Sequence, residues 1–408
     1  MAATMGLNRV FIITGDVSGD AHAAGIVRAF QALGHTAPTV EALGGLNVAQ
    51  TGIKLFEHQT ELGALGPSFF SAIPSHYMLG RRLLAYLHQD YRPDAVLLID
   101  YGGFNLHMAE QIKKRLPTTK VYYYIPPQIW ASRPWRIKAV QRYVDHVFCI
   151  FPFEEAFYRG HGVSASYVGH PLTHALPPPV DRSAFCQRHN LDAEMPIVGV
   201  FPGSRKMEIE YLLPPMIQSL PLIQSAYGYK PLQFVVAKAH SISAAWFNRF
   251  FDPVREATDR LRFSVIEHDN HGLLSASRAV MLASGTVTLE AALYETPMVV
   301  AYDGPGWARF FFDRFRLSDY LGLPNLLCEH PPLVDELLKE AVTPYRLCES
   351  MVPLLKDDAR RSAMVAELSR IRQKLGEHDA AEAVVHHMMG IAPGLAASRK
   401  LETPVSVG

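Results

Sequence analysis

One alternation, run through twice, constrains this chain more than any other feature. Val10–Thr14 (VFIIT) is a short, continuous apolar run rich in β-branched residues. Such runs form strands buried on both faces of a parallel sheet. The small-residue stretch Gly15–Asp20 follows, then a helical stretch over Ala21–Leu33. Ala95–Ile99, Val121–Ile125 and Val147–Ile150 read as further strands, with a helix over His107–Leu116. Strand and helix in this order imply a parallel sheet with helices on both faces. The triple proline in Ala175–Val180 (ALPPPV) interrupts the pattern, because proline neither continues a helix nor donates to a ladder. The pattern then restarts. Ile197–Phe201, Phe234–Ala237, Phe263–Glu267, Val280–Ala283 and Met298–Tyr302 read as strands, and a helix begins near Glu208.

The expected fold class is therefore α/β, with two doubly wound Rossmann-like domains facing a cleft. Residues 1–177 form the first domain and 178–375 the second. Residues 376–408 form a C-terminal helix and mobile tail, packing back on the first domain or on a partner subunit. A chain of 408 residues with 49% hydrophobic content has material for two cores. Open α/β sheets bind ligands at the carboxyl ends of their strands, which favours an enzyme with one substrate per domain.

Composition removes several function classes. Lys plus Arg and Asp plus Glu both total 39, so no chain-wide basic field exists to attract nucleic acid. The four cysteines are scattered without C-x-x-C spacing, which argues for reduced thiols rather than a disulfide framework or a zinc site. No H-E-x-x-H or clustered carboxylate pattern suggests a metal, and none is expected. No run approaches the roughly 18 apolar residues of a spanning helix, and Met1–Arg9 is too short for a signal peptide, so a soluble, cytoplasmic protein is expected.

Four places could carry chemistry. Gly15–Asp20 has neither the G-x-G-x-x-G nor the P-loop pattern; it is an anion-binding turn or merely a capped one. Asp100 ends a strand in LLIDYGGFN, where a carboxylate can act as a general base or cap the next helix. Pro202–Arg205 forms a Gly-Ser turn at a helix start. Its backbone N–H groups and the fork of Arg205 suit phosphate oxygens, though a surface arginine on a capped helix would look the same. Ser284-Gly285-Thr286, with Glu290 on the following helix, offers hydroxyls, N–H groups and a ribose acceptor, or else a plain cap. His170, between Gly169 and Pro171, suits a hinge as well as catalysis. The aromatic, partly basic tracts Leu65–Tyr77 and Trp307–Phe315 suit a core, an interface or a lipid surface.

Eight motifs in order resemble the lipid-A-disaccharide synthase family, inverting glycosyltransferases of the two-Rossmann-domain B type. They are GDVSGD (15–20), LLIDYGGFN (97–105), YYIPPQIWASR (123–133), FPFEEAFY (151–158), YVGHPL (167–172), PGSRKMEIEYLLP (202–214), LASGTVTLEAAL (282–293) and LPNLL (323–327). The resemblance runs from about Val10 to Leu375.

The resemblance implies transfer of 2,3-diacylglucosamine from UDP-2,3-diacylglucosamine to 2,3-diacylglucosamine 1-phosphate. The products are a β-1,6 disaccharide 1-phosphate and UDP, with inversion and without a metal or other cofactor. It places Asp100 as the base, with Ser18 and Asp16 beside it in the catalytic set. Asp20, Arg205, Ser284, Gly285, Thr286, Glu290, Asn325 and Gln128 fall in the substrate-binding set. It also implies peripheral contact with the inner face of the cytoplasmic membrane, and it leaves a homodimer open. The chain departs from the family pattern at Asp16 (usually Glu), Gly102-Gly103 (often with Asp), Pro126-Pro127 (usually Ser-Pro) and His174 (usually acidic). These departures gather in the acceptor half. The rival readings are a relative that binds a UDP-sugar or lipid without turnover, and a UDP-sugar epimerase on the same fold.

Overall fold

The computed structural model describes residues 6–15, 17–58, 68–131, 133–252, 261–306, 309 and 320–391. It divides into two compact units. One comprises the described residues up to Pro171 and from Glu377 onward, the other Leu172–Gly376.

The first unit holds a seven-stranded parallel sheet of β1 (Arg9–Ile13), β2 (Thr39–Gly44), β3 (Lys54–His58), β4 (Ala95–Ile99), β5 (Lys120–Tyr124), β6 (His146–Cys149) and β7 (Ala165–Tyr167). Their order is β3-β2-β1-β4-β5-β6-β7. The chain winds outward from β1 in one direction and from β4 in the other, so the switch point lies between these two strands. Every residue of β4 is buried, as a strand covered on both faces requires. Covering helices are α1 (Val17–Ala32), α2 (Leu46–Ala49), α3 (Ser68–Tyr86), α4 (Gly102–Arg115), α5 (Ile137–Tyr143) and α6 (Pro152–Gly160). Helix α4 ends in Lys113, Lys114 and Arg115, where cations favour the negative end of the dipole.

The second unit begins with α7 (Leu172–Ala175) and α8 (Arg182–Arg188). Its six-stranded parallel sheet contains β8 (Ile197–Phe201), β9 (Gln233–Ala237), β10 (Arg262–Ile266), β11 (Ala279–Ala283), β12 (Met298–Tyr302) and β13 (Asp335–Leu338). The order β10-β9-β8-β11-β12-β13 puts its switch point between β8 and β11. Its helices are α9 (Lys206–Ala226), α10 (Ala244–Asn248), α11 (Asn270–Ala276), α12 (Thr286–Leu293), α13 (Leu323–Leu327), α14 (Pro344–Lys356) and α15 (Asp358–Leu375). Helix α9 contains Pro214, Pro215 and Pro221 yet continues through them. Its buried Ile209, Leu212, Leu213, Met216, Ile217, Leu220 and Ile223 form the apolar stripe that offsets the lost N–H groups.

The last helix, α16 (Ala380–Met389), returns to the first unit. Its Ala381 lies 3.7 Å from the position a Cβ would take at Gly25 of α1, and His387 stacks on His146 of β6 at 4.1 Å between ring centroids.

The expected fold class is observed in both units. The expected strands over Ala95–Ile99, Ile197–Phe201 and Met298–Tyr302 coincide with β4, β8 and β12. Strands β2, β3, β7 and β13 are additions, short or placed toward the sheet edges where the apolar signal fades. Helices α1 and α4 begin four or five residues before their expected starts, so Ser18 and Asp20 lie within the first turn of α1 rather than in a loop. No helix among the described residues is long and apolar enough to cross a membrane.

Candidate active site

Asp100 and Ser18, two of the expected catalytic residues, lie at the first switch point. Asp100 follows β4 directly, and Asp100 and Tyr101 both take left-handed backbone angles (φ 49° and 50°). Two successive non-glycine residues in this region are strained, and such strain concentrates at functional sites. The surroundings hold the bend in place. The Tyr123 hydroxyl donates to the Asp100 carbonyl at 2.7 Å, Asn105 Nδ2 donates to it at 2.9 Å, and Asp100 N donates to the Tyr124 carbonyl at 3.1 Å. Asp100 Oδ1 accepts from Tyr101 N at 2.8 Å, and the residue stays half-buried. A carboxylate on a rigid backbone at a strand's carboxyl end is suited to taking a proton.

The loop after β1 touches this bend. A Cβ on Gly15 would fall 2.4 Å from Tyr101 Cδ1, so only glycine lets the two loops close. Ser18 is exposed, and its hydroxyl lies 3.5 Å from His22 Nε2. Asp16 lies outside the described residues. Gln128 is exposed on the loop that follows β5.

Asp20 requires a correction. It is only 5% exposed, and its two oxygens accept from the N–H groups of Gly45 (2.5 Å), Asn47 (2.7 Å) and Val48 (3.4 Å). It caps α2 and ties β2 to α1; it is a frame residue rather than a substrate contact.

The phosphate-type loops collect at the second switch point. Gly203 is left-handed (φ 107°), and a Cβ there would lie 2.6 Å from Glu208 Oε2. Glu208 accepts from the N–H groups of Ser204 (3.1 Å) and Arg205 (3.2 Å) and pairs with Arg205 Nη1 at 2.7 Å. The two backbone donors expected to face a phosphate are thus taken by Glu208. Arg205 itself is exposed, and a solvated ion pair of this kind is worth about 0–1 kcal/mol, so an arriving diphosphate can take the guanidinium over. Across the switch point, Gly285 and Thr286 are exposed, and space around Gly285 is open. Neither the Ser284 hydroxyl nor the Thr286 hydroxyl bonds another described residue. Glu290, one turn beyond Thr286, is half-buried; burial raises its pKa, and the His271 charge opposes the rise.

Asn325 also requires a correction. It is 2% exposed; its Oδ1 accepts from Leu333 N (2.7 Å) and Val334 N (2.9 Å), and its Nδ2 donates to the Val334 carbonyl (2.9 Å) and Glu336 Oε1 (2.7 Å). All four bonding positions are used, leaving nothing for a ligand. Asn325→Ala is expected to lower stability by about 2–4 kcal/mol, since buried N–H and carboxylate partners lose their mates. Chemical denaturation checks this, and a change below about 0.5 kcal/mol would return Asn325 to the ligand side.

His170 is buried against Phe151, and burial together with His22 pulls its pKa down to about 3. It stays neutral at physiological pH, which suits packing. Glu154 was legible only as part of FPFEEAFY. It is 1% exposed and accepts from Trp130 Nε1 (3.0 Å) and from the N–H groups of Ile150 and Phe151 (both 3.2 Å). Burial pushes its pKa up to about 7 against those donors. Among the described residues, His240, Glu267 and His268 bring one ligand atom each within 4.8 Å of one another, and Glu267 is ion-paired to Lys238 at 2.9 Å. Their separation in sequence hid them from any motif. Residues 307–308 and 310–315 of the second aromatic tract lie outside the described residues, as do 65–67 of the first. Arg309 is bound by Asp303 and Glu340 rather than presented to a lipid.

The family model of lipid-A-disaccharide synthetases matches residues 10–386, a span that contains all eight motifs. The chain belongs to this family. Lipid-A-disaccharide synthase from Coxiella burnetii is 34% identical over 388 residues, covering 93% of this chain and 98% of the relative. The synthase from Trichlorobacter lovleyi is also 34% identical, covering 90% and 93%. Solved structures agree at the level of fold. A UDP-GlcNAc 2-epimerase from Neisseria meningitidis bound to UDP-GlcNAc matches with a TM-score of 0.61 at 13% identity, covering 94% of this chain and 100% of that one. A Listeria monocytogenes protein described as a UDP-N-acetylglucosamine 2-epimerase gives 0.64 at 12%, covering 95% and 98%. The family assignment thus comes from sequence, while the epimerases share the architecture alone.

Proposed function

We propose that the chain works as its family does, as a lipid-A-disaccharide synthase. It transfers 2,3-diacylglucosamine from its UDP conjugate to the 6-hydroxyl of 2,3-diacylglucosamine 1-phosphate, with inversion. The family match over residues 10–386 carries this reading, and the strained, clamped Asp100 supports its chemistry.

The steps follow from the residues. Asp100 takes the proton of the acceptor hydroxyl as its oxygen attacks the anomeric carbon of the donor. The bond to the diphosphate breaks on the opposite face, and UDP leaves with one further negative charge growing on its terminal phosphate. Arg205 exchanges Glu208 for that phosphate and neutralises the charge in place of a metal. Ser284 and Thr286 donate to the diphosphate, and Glu290 accepts from the ribose hydroxyls. Ser18 and Asp16 act beside Asp100, and Gln128 contacts the acceptor. Peripheral membrane contact is assigned to α3, where Tyr77 and Met78 are 60% and 64% exposed. A homodimer is compatible with this scheme but not required by it.

Incubation of the purified chain with the UDP-diacylglucosamine and the monosaccharide phosphate tests the proposal. Equal yields of disaccharide and UDP are expected. Ligand binding without UDP release would identify a non-catalytic relative, and a manno-configured sugar would identify an epimerase.

A further inference from the structure

The loop that follows β5 carries two arginines that the steps above do not use. It is held from below: Ile129 is buried, Trp130 Nε1 donates to Glu154, and the Tyr158 hydroxyl donates to the Pro127 carbonyl at 2.9 Å. Arg133 then takes a left-handed angle (φ 56°) and opens the turn Pro134–Arg136 that leads into α5. Arg136 N donates to the Arg133 carbonyl at 3.1 Å, so both side chains leave one tight turn.

Neither guanidinium forms an ion pair or a side-chain hydrogen bond with another described residue. Other cations of the first unit are paired: Arg82 with Glu57, Lys113 with Asp145, and Arg159 with Glu155. Arg136 is half-buried, and its burial and the like charge of Arg133 both pull its pKa down. Two like charges on one turn, with no acid among the described residues paired to either, suit an anion.

Their position relative to the base gives that anion a meaning. Arg136 Nη1 lies 3.4 Å from where a Cβ would sit on Gly102. Gly102 is two residues beyond Asp100, at most about 7 Å along the chain. The Tyr123 hydroxyl, which donates to the Asp100 carbonyl, lies in the field of Arg136. In a hexopyranose the anomeric carbon and the carbon that bears C6 flank the ring oxygen, so the 6-hydroxyl and the anomeric oxygen lie within one sugar ring of each other. A base for the first and an anchor for the second must therefore stand one sugar apart.

We propose that Arg133 and Arg136 clamp the phosphate monoester of the acceptor sugar and so present its 6-hydroxyl to Asp100. This inference rests on the acceptor assigned under the proposed function. Two planar forks suit three phosphate oxygens, and a built anion clamp left empty rejects the sugar that lacks the phosphate.

The test compares short-chain 2,3-diacylglucosamine 1-phosphate with the same sugar lacking its phosphate, on wild type, Arg133→Ala, Arg136→Ala and Arg136→Lys. Arg133 is exposed and pairs with no other described residue, so its variant has no structural reason to misfold. Each Arg→Ala change is expected to raise the KM for the phosphorylated acceptor by about 10- to 100-fold, the worth of a hydrogen bond to a charged group. The donor KM should hold, and Arg136→Lys should recover part of the loss. The preference for the phosphorylated acceptor should collapse in the Ala variants. Equal losses on both acceptors, or an undiminished preference, would overturn the clamp. Calorimetric binding of the phosphorylated sugar separates the two claims. Arginine-dependent binding without turnover would uphold the clamp and reject the synthase reading; turnover with arginine-independent binding would do the reverse. Vesicles containing anionic phospholipid form the last arm. Loss of vesicle binding in the Ala variants, with acceptor preference intact, would assign the arginines to lipid headgroups and overturn the proposal.

Discussion

Asp100→Asn is expected to lower turnover by roughly 10²-fold or more, as loss of a general base does, while UDP affinity stays near that of the wild type. An asparagine side-chain oxygen can still accept from Tyr101 N, and the three hydrogen bonds that pin the bend involve the backbone of residue 100 alone. The left-handed angle is also tolerated by asparagine. The variant should therefore keep its fold, so that the loss is chemical. Single-turnover measurement of disaccharide formation, beside calorimetric titration of UDP, separates the two effects. Turnover at the wild-type rate would take Asp100 out of the mechanism.

Arg205→Ala should act on the other reactant. Removing one preorganised charge from a developing anion costs about 10²–10³ in rate in well-studied cases, and a fall of that order in kcat/KM for the donor is expected. Stability should barely move, because the side chain is exposed and its pairing with Glu208 is solvated. The variant also leaves the Glu208 carboxylate without its cation, beside the place proposed for the phosphate. Arg205→Ala combined with Glu208→Gln should therefore recover part of the UDP affinity. Unchanged donor kinetics and unchanged UDP affinity in Arg205→Ala would remove the arginine from the diphosphate site.

The candidate residues separate into two groups that sequence alone did not distinguish. Ser18, Asp100, Gln128, Arg205, Ser284, Gly285, Thr286 and Glu290 are exposed or half-buried around loops at the carboxyl ends of strands. Asp20 and Asn325 also lie in family motifs, yet every polar position of Asn325 and both oxygens of Asp20 are spent on backbone and neighbouring side chains. A motif records that a residue type is required at a position. It does not record whether the requirement comes from a ligand or from the loop that holds the ligand's neighbours. Hydrogen-bond saturation decides that, and saturation depends on residues such as Gly45 and Glu336 that lie 25 and 11 positions away.

The sequence by itself determined the fold class, the central strands, the family and the placement of Asp100 at the end of a strand. Each rests on local pattern: buried parallel strands need unbroken apolar runs, and Asp100 directly follows one of them. Tertiary structure alone decided the edge strands, the switch points β1/β4 and β8/β11, the return of α16 to the first unit and the pairing of Arg136 with Gly102. These depend on which distant segments meet, and no short window of residues carries that information. Edge strands are half-solvated and lose their apolar signature, while two arginines become a clamp only where the chain brings them beside the bend at Asp100.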